Sequence, residues 1–270
     1  MTNAIARDDG EIIRLRGAGK VFTARKASLR ALEPVDLAVR QQEFVAIVGP
    51  SGCGKSTILN LIAGLLRPSE GSVTYRGEEV TGANVRVGYL TQKDTLLPWR
   101  HVEDNVGLAL ELASRRVPRG DAKARTAGMI ELVGLNGFER HYPHELSGGM
   151  RKRAALARTL IYEPETLLMD EPFGALDAQL RLLMMAELQR LTQARQMTVL
   201  LVTHDLGEAI SLADRVVIMS ARPGRIRRIQ DIPLARPRDV FSLRFTEGFS
   251  QLYESLWNEL KDEVAKGTEN

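Results

Sequence analysis

Three short stretches carry residue types and spacings that could do chemistry. The first is "GPSGCGKST", Gly49 to Thr57. It fits the pattern G-x-x-x-x-G-K-[ST] and lies between an apolar run, "EFVAIVG", and a helix-like run, "STILNLIAGLL". Glycines at 49, 52 and 54 let backbone N–H groups turn toward one anion, and the new helix adds its positive N-terminal end. Lys55 would reach the β- and γ-phosphates of a nucleotide, and the Ser56 hydroxyl would ligate Mg²⁺. The candidate phosphate-binding set is therefore Gly49, Pro50, Ser51, Gly52, Cys53, Gly54, Lys55, Ser56 and Thr57. The second stretch is "LLMDE", ending in Asp170 and Glu171. An apolar strand delivers two carboxylates at its end: Asp170 to hold Mg²⁺, and Glu171 to orient or deprotonate an attacking water.

The third stretch is "HELSGGMRKRAALARTL". Ser147 stands at an N-cap position before a strong helix-forming run, and Gly148 and Gly149 would expose backbone N–H groups there. That reads either as a second anion site or as an ordinary serine-capped helix.

Together these stretches resemble the ATP-binding cassette (ABC) ATPases. The phosphate loop and "LLMDE" match the first two motifs of that family, and "LSGGM" resembles its signature LSGGQ. Gln92 in "VGYLTQ" fits the glutamine loop, "GALDA" (Gly174 to Ala178) the D-loop, and His204 in "LLVTHD" the switch histidine. Six motifs in this order are far more specific than any one. The resemblance implies ATP and Mg²⁺ as ligands and a head-to-tail dimer of cassettes. In such a dimer Ser147, Gly148 and Gly149 would cover the γ-phosphate held by the partner. It further implies that Gln92 contacts Mg²⁺ or the attacking water, that Asp177 crosses the dimer interface and that His204 contacts the γ-phosphate. Phe22 lies where the family stacks an aromatic ring on adenine; the alternative is a core phenylalanine. Met150 replaces the signature glutamine, which leaves the backbone donors and the Ser147 hydroxyl in place.

Met150, "LLPWRHVEDNV" and the stretch "ARPGRIRRIQDIPLARPRD" resemble the importer branch for nitrate, sulfonates, taurine and similar solutes. The expected protein is the ATPase subunit of an importer. Its partners would be a second cassette, two transmembrane permease subunits and, indirectly, a solute-binding protein, with no nucleic acid. Its expected place is the cytoplasmic face of the membrane. A chromosome or DNA-repair ATPase would split the cassette with long coiled coils, yet only Lys93 to Leu146 separate Gln92 from Ser147. A ribosomal factor would carry two cassettes. The arginines at 222, 225, 227, 228, 236 and 238 read as a solvated basic strand pair, since no aromatic residues interleave with them.

The elements that must position these residues follow from pattern. "EIIRLRGAGKVF" and "ALEPVDLAVR" read as strands; "EFVAIVG", "VRVGYLTQ", "ETLLMDEP", "TVLLVTH" and "RVVIMS" as buried strands. "HVEDNVGLALELASRR" and "DAKARTAGMIELVGL" have helical spacing. The expected fold is α/β: a P-loop NTPase core, with a mixed sheet flanked by helices and an N-terminal antiparallel β part, plus an inserted α-helical subdomain. The expected boundaries within a single domain of residues 1–270 are core 11–92 and 164–235, helical insert 93–163 and an amphipathic tail 238–264. In the tail Phe241, Phe245, Phe249, Leu252, Leu256 and Leu260 follow a helical period, with a possible break at Gly248. The stripe packs on its own domain or meets a partner.

Composition adds bounds. The chain has 270 residues, 44% hydrophobic and 26% charged, with net charge +3, too small to argue for nucleic acid by itself. No apolar run reaches the ~18 residues of a membrane span, and the first residues lack a signal-peptide pattern. Cys53 is the single cysteine, so no internal disulfide forms. Its place beside Lys55 and a helix N-terminus predicts a reactive thiolate, against the alternative of a buried inert thiol. Trp99 either docks a membrane subunit or belongs to the core of the helical insert. His101, His141 and His144 read as surface residues.

Overall fold

The computed structural model describes residues 10–24, 27–112 and 118–268. Met1–Asp9, and Ala113–Arg116 of the first helix-like stretch, lie outside the described residues. Two long strands, β1 (Glu11–Ala24) and β2 (Ala27–Arg40), open the chain, followed by β3 (Phe44–Val48) and α1 (Lys55–Ile62). Next come β4 (Glu70–Tyr75), the short β5 (Glu78–Glu79) and β6 (Val87–Leu90). Three helices then interrupt the strand series: α2 (Val102–Leu112), α3 (Arg119–Leu132) and α4 (Gly148–Leu160). The core resumes with β7 (Thr166–Asp170), α5 (Ala178–Ala194), β8 (Thr198–Val202), α6 (Leu206–Leu212), β9 (Arg215–Met219) and β10 (Ile226–Asp231). The helix α7 (Glu247–Thr268) follows.

The strands form two sheets. An antiparallel sheet has the order β2-β1-β4-β5; a six-stranded sheet has the order β10-β9-β3-β8-β7-β6 and is parallel except at the β10-β9 edge. The central strands are fully buried, which is why they read as continuous apolar runs rather than alternating ones. Their two faces nevertheless serve different layers. Val45, Ile47, Leu168, Leu200, Val202 and Val217 pack with α1 and the antiparallel sheet. Ala46, Val48, Leu167, Met169, Val199 and Leu201 pack on the other side, in one continuous cluster with Val102, Val106, Ile130 and Leu156 of the helical insert.

The tail departs from the expected stripe. Phe249, Leu256 and Leu260 are buried and Leu252 is half-buried. Phe241 and Phe245 are exposed and precede the helix, which starts at Glu247. Gly248 sits in the first turn and breaks nothing. The Thr246 hydroxyl accepts from Phe249 N at 3.4 Å and so marks the start as an N-cap would.

Candidate active site

Parallel α/β sheets gather chemistry at the carboxyl ends of their strands, and the register does so here. β3 pairs with β8 and β8 with β7; Val202 lies opposite both Ile47 and Asp170. The phosphate loop after β3, the carboxylates ending β7 and the histidine after β8 therefore stand side by side. Gln92 follows β6, the next strand over. A cleft of about 320 Å³ is lined by Phe22, Ser51, Gly52, Gly54, Lys55, Ser56, Thr57, Gln92, Asp170 and Glu171, with His204 beside it against Glu171.

The loop is shaped by glycine where the backbone demands it. Gly54, which leads into α1, has φ 97°, a left-handed conformation without cost for glycine. Lys55 is buried and donates to the carbonyls of Gly49 and Pro50 at 2.8 and 2.7 Å. Asp170 is buried, and burial pushes its carboxyl up; a hydrogen bond with Ser56 opposes that rise. Glu171 holds φ 49° although it has a side chain, a strained conformation of the kind kept at functional sites. Its backbone N–H is fixed on Val202 O at 2.9 Å. Its carboxylate accepts from Gln92 Nε2 at 3.5 Å and lies 3.6 Å from His204 Nδ1. Gln92, Glu171 and His204 are thus brought together. Asp170 supplies one carboxylate beside a hydroxyl and the Gln92 amide. Such a sparse set of hard oxygens suits Mg²⁺ that takes its other ligands from phosphate and water.

Phe22 is exposed at the rim of this cleft with Lys20 Nζ 5.4 Å from its ring centre, which favours the stacking position over the core alternative. Ser147, Gly148, Gly149 and Asp177 line no part of the cleft. Ser147 caps α4, accepting from Met150 N at 3.3 Å, and Asp177 caps α5, accepting from Leu180 N at 2.9 Å. The outer face of the second glycine loop is exposed.

Several expectations are corrected. Cys53 is fully buried, and burial pushes its thiol up against the opposing pull of Lys55 and Arg222; this favours the alternative of a buried thiol over the reactive thiolate expected. The arginines are a solvated strand pair only in part: Arg222, Arg225, Arg227 and Arg228 are exposed, Arg227 and Arg228 on β10, while Arg236 is half-buried and Arg238 buried. Arg238 is buried and donates to the carbonyls of Ile210, Ala213, Ile232 and Leu234; Arg236 pairs with Asp214 at 2.8 Å, Arg228 with Glu259 at 2.9 Å and Arg227 with Glu263 at 3.5 Å. Arg222 reaches the phosphate loop, donating from Nε to Gly52 O at 3.1 Å, and lines the cleft with Leu29 and Ala31. Sequence reasoning missed these three cleft residues. The tight packing of Gly224 against the Cys53 carbonyl, where a Cβ would clash, is what lays this hairpin on the loop. Of the three histidines read as surface residues only His144 is exposed; His101 and His141 are half-buried, in tilted ring contact with Tyr142 and Phe138. Trp99 is 71% exposed, so it is not core. Its turn is held by the buried Asn105 side chain, which accepts from Leu97 N at 2.7 Å and donates to the carbonyls of Leu97, Arg100 and His101.

The helical insert is tied to Gln92. Lys152 of α4 donates to the Thr91 carbonyl at 3.1 Å and to that of Gln92; Arg151 pairs with Asp94 at 3.0 Å. A family model described as "ABC transporter" matches residues 32–174, which span the phosphate loop, the second glycine loop and both carboxylates. The chain belongs to the ABC transporter family. It is 45% identical to an uncharacterized ABC transporter ATP-binding protein of Methanocaldococcus jannaschii, over 94% of this chain and 93% of that one. It is 40% identical to the aliphatic sulfonates import ATP-binding protein SsuB of Bacillus cereus, over 87% of this chain and 92% of that one. A solved ATP-binding cassette, dimeric in a post-hydrolysis state with ADP and Pi, superposes with a TM-score of 0.77. It is 29% identical and covers 83% of this chain and all of its own. The chain is an ABC ATPase: it binds and hydrolyses ATP. Among the described residues no helix is long and apolar enough to cross a membrane.

Proposed function

We propose that this ABC ATPase energises import of a small anionic solute of the nitrate, sulfonate or taurine class. Two copies pair head to tail, and the pair drives two membrane permease subunits from the cytoplasmic side. The observation that carries the reading is the division of the site. Lys55, Ser56, Gln92, Asp170, Glu171 and His204 converge on one cleft, while Ser147–Gly149 stand outside it at the N-terminal end of α4, with Ser147 and Gly148 exposed. A second copy would bring that loop over the γ-phosphate, and a twofold axis would make two such sites.

In the assembled site the phosphate loop and Lys55 hold the triphosphate, and Phe22 stacks on the base. Mg²⁺, held by Ser56, Asp170 and Gln92, would neutralise charge on the phosphates when bound. Glu171 accepts the proton of the attacking water as its oxygen forms the bond to the γ-phosphorus and the bond to ADP breaks. His204 and the partner's second glycine loop steady the γ-phosphate oxygens. The sulfonate-import relatives support the solute class, and the exposed Trp99 on its rigid turn supplies a docking face for a permease.

Glu171→Gln tests the assignment. The amide keeps the shape but takes no proton, so turnover should fall about 10²- to 10⁴-fold with ATP binding intact. Gel filtration with ATP should then show a trapped dimer; a monomer, or turnover like the wild type, would overturn the reading. Transport by the reconstituted assembly, with sulfonates, taurine and nitrate compared against cations and sugars, tests the solute class.

A further inference from the structure

One guanidinium in this protein holds two loops at once. Arg181 lies in the first turn of α5, directly after the Gly174–Ala178 segment, and its backbone N–H donates to Asp177 O at 2.9 Å. Its side chain turns back: Nη2 donates to the Leu176 carbonyl at 3.2 Å, inside that segment. Nη1 donates to Asp205 Oδ2 at 3.3 Å. Asp205 follows His204 and caps α6, its Oδ1 accepting from Gly207 N at 2.7 Å and Glu208 N at 3.1 Å. The chain Leu176–Arg181–Asp205–His204–Glu171 is therefore continuous, closed by the 3.6 Å approach of His204 to Glu171.

A second carboxylate, that of Glu208, is buried 3.8 Å from Arg181 Nε and accepts from Thr203 Oγ1 at 2.5 Å. Burial pushes its acid up to about 7. Arg181 Nε has no hydrogen bond there. The short, hydrogen-bonded partner of the guanidinium is Asp205. The cluster lies beside a cavity of about 270 Å³ between α5, α6 and the start of α7, which leaves room for Arg181 to shift without displacing core.

We propose that Arg181 is a positioning residue that transmits the state of the Gly174–Ala178 segment to His204, and so couples the two ATP sites of the dimer. The inference rests on the dimeric reading above. The segment carries Asp177, which is exposed and lies outside the lining of its own cleft. When a partner displaces the segment, the Leu176 carbonyl moves. The planar guanidinium cannot keep both bonds at fixed geometry, and the Asp205 cap moves with it. His204 is the neighbouring residue and follows.

The test uses the full chain and reads ATP hydrolysis against ATP concentration, with binding measured separately by a fluorescent ATP analogue. The wild type should hydrolyse cooperatively. Arg181→Ala should bind ATP within about threefold of the wild type, yet lose about tenfold or more in kcat, with a Hill coefficient falling toward 1, a coupling loss of ordinary size. Arg181→Lys, which reaches one partner but not both, should recover kcat in part without recovering cooperativity. Asp205→Asn keeps the cap but weakens the ion pair and should behave alike; with Arg181→Lys it decides the matter if the alanine variant fails to fold. A structural staple alone would lower the melting temperature and leave the Hill coefficient unchanged. That result, or a non-cooperative wild type that still dimerises, overturns the proposal. Absence of any ATP hydrolysis or dimer in the wild type would instead sink the dimeric ATPase reading itself.

Discussion

The two glycine loops of this protein are built from similar parts and finished differently. Gly49–Thr57 is closed by its own chain. Lys55 folds onto its carbonyls, Arg222 lies over Gly52, Gly224 packs on Cys53, and the β7 carboxylates face it. Ser147–Gly149 has a cap and a helix behind it and is left more open: Ser147 serves Met150 N, Ser147 and Gly148 are exposed, and Gly149 is half-buried against Ala175 and Leu176. The same backbone chemistry is therefore enclosed in one place and left open at a helix end in the other. The Trp99 turn belongs with the open half. Its frame is fixed by the buried Asn105 while its ring stands in solvent. On the proposed reading, parts that this chain completes by itself serve nucleotide and parts that it leaves open serve other subunits.

The largest effect expected of this contrast separates binding from turnover. Lys55→Ala removes the cation of the closed loop and should lose both ATP binding and hydrolysis. Ser147→Arg should leave binding within about twofold but cut hydrolysis by at least ~10²-fold, the scale of losing transition-state donors. Mixing the two variants is the sharper form. A mixed dimer has one site with both defects and one with none, so part of the activity should return. If the mixture stays inactive although mixed dimers form, the open loop does not serve a partner.

Trp99→Ala comes next. Its ring is mostly exposed, so the isolated subunit should melt within a degree or two of the wild type and keep its basal ATPase. A buried tryptophan would cost about 3–5 kcal/mol instead. Transport by the assembly should fall about tenfold, as when an aromatic anchor is lost from an interface. An early melt, or normal transport, would remove Trp99 from the open set.

How far the sequence reveals this division can be stated residue by residue. The closed loop is legible because its spacing is local: Gly49, Lys55 and Ser56 lie within one strand–turn–helix unit. The buried strands are legible because both faces are covered. The helix cap at Ser147 is legible from residue type. Arg222 is not, because its role depends on a hairpin distant in sequence that lies on the loop through Gly224. The start of the tail helix is not legible for a related reason. A 3.6-residue period through Phe241 and Phe245 does not say where a helix starts, and the Thr246 cap does. The state of Cys53 is not legible, because charge neighbours are visible in sequence and burial is not.

Arg222 gives a smaller test. It is an exposed cation at the rim of the closed cleft. Arg222→Ala should weaken ATP binding about three- to tenfold at low salt, and less at high salt where screening shortens its reach. Arg222→Lys should lie between. Titration of a fluorescent ATP analogue at two ionic strengths measures this; equal affinity in all variants would leave Arg222 as a loop clasp without a role in binding.

The smallest expected effect is at Cys53, and its smallness is informative. The thiol has a helix N-terminus and Lys55 nearby, both of which favour thiolate. Lys55 Nζ stands 4.0 Å from its sulfur. Burial outweighs them, because the side chain is fully enclosed and desolvation is the largest influence on its acidity. A maleimide should therefore label the native protein far more slowly than it labels free cysteine, and about equally with and without ATP, while urea should release fast labelling. Hydrolysis should survive a brief native treatment. Rapid labelling that ATP suppresses would mean that the phosphate loop opens in the empty protein. The line between a loop the chain completes and a loop it leaves open would then be a matter of occupancy rather than of fold.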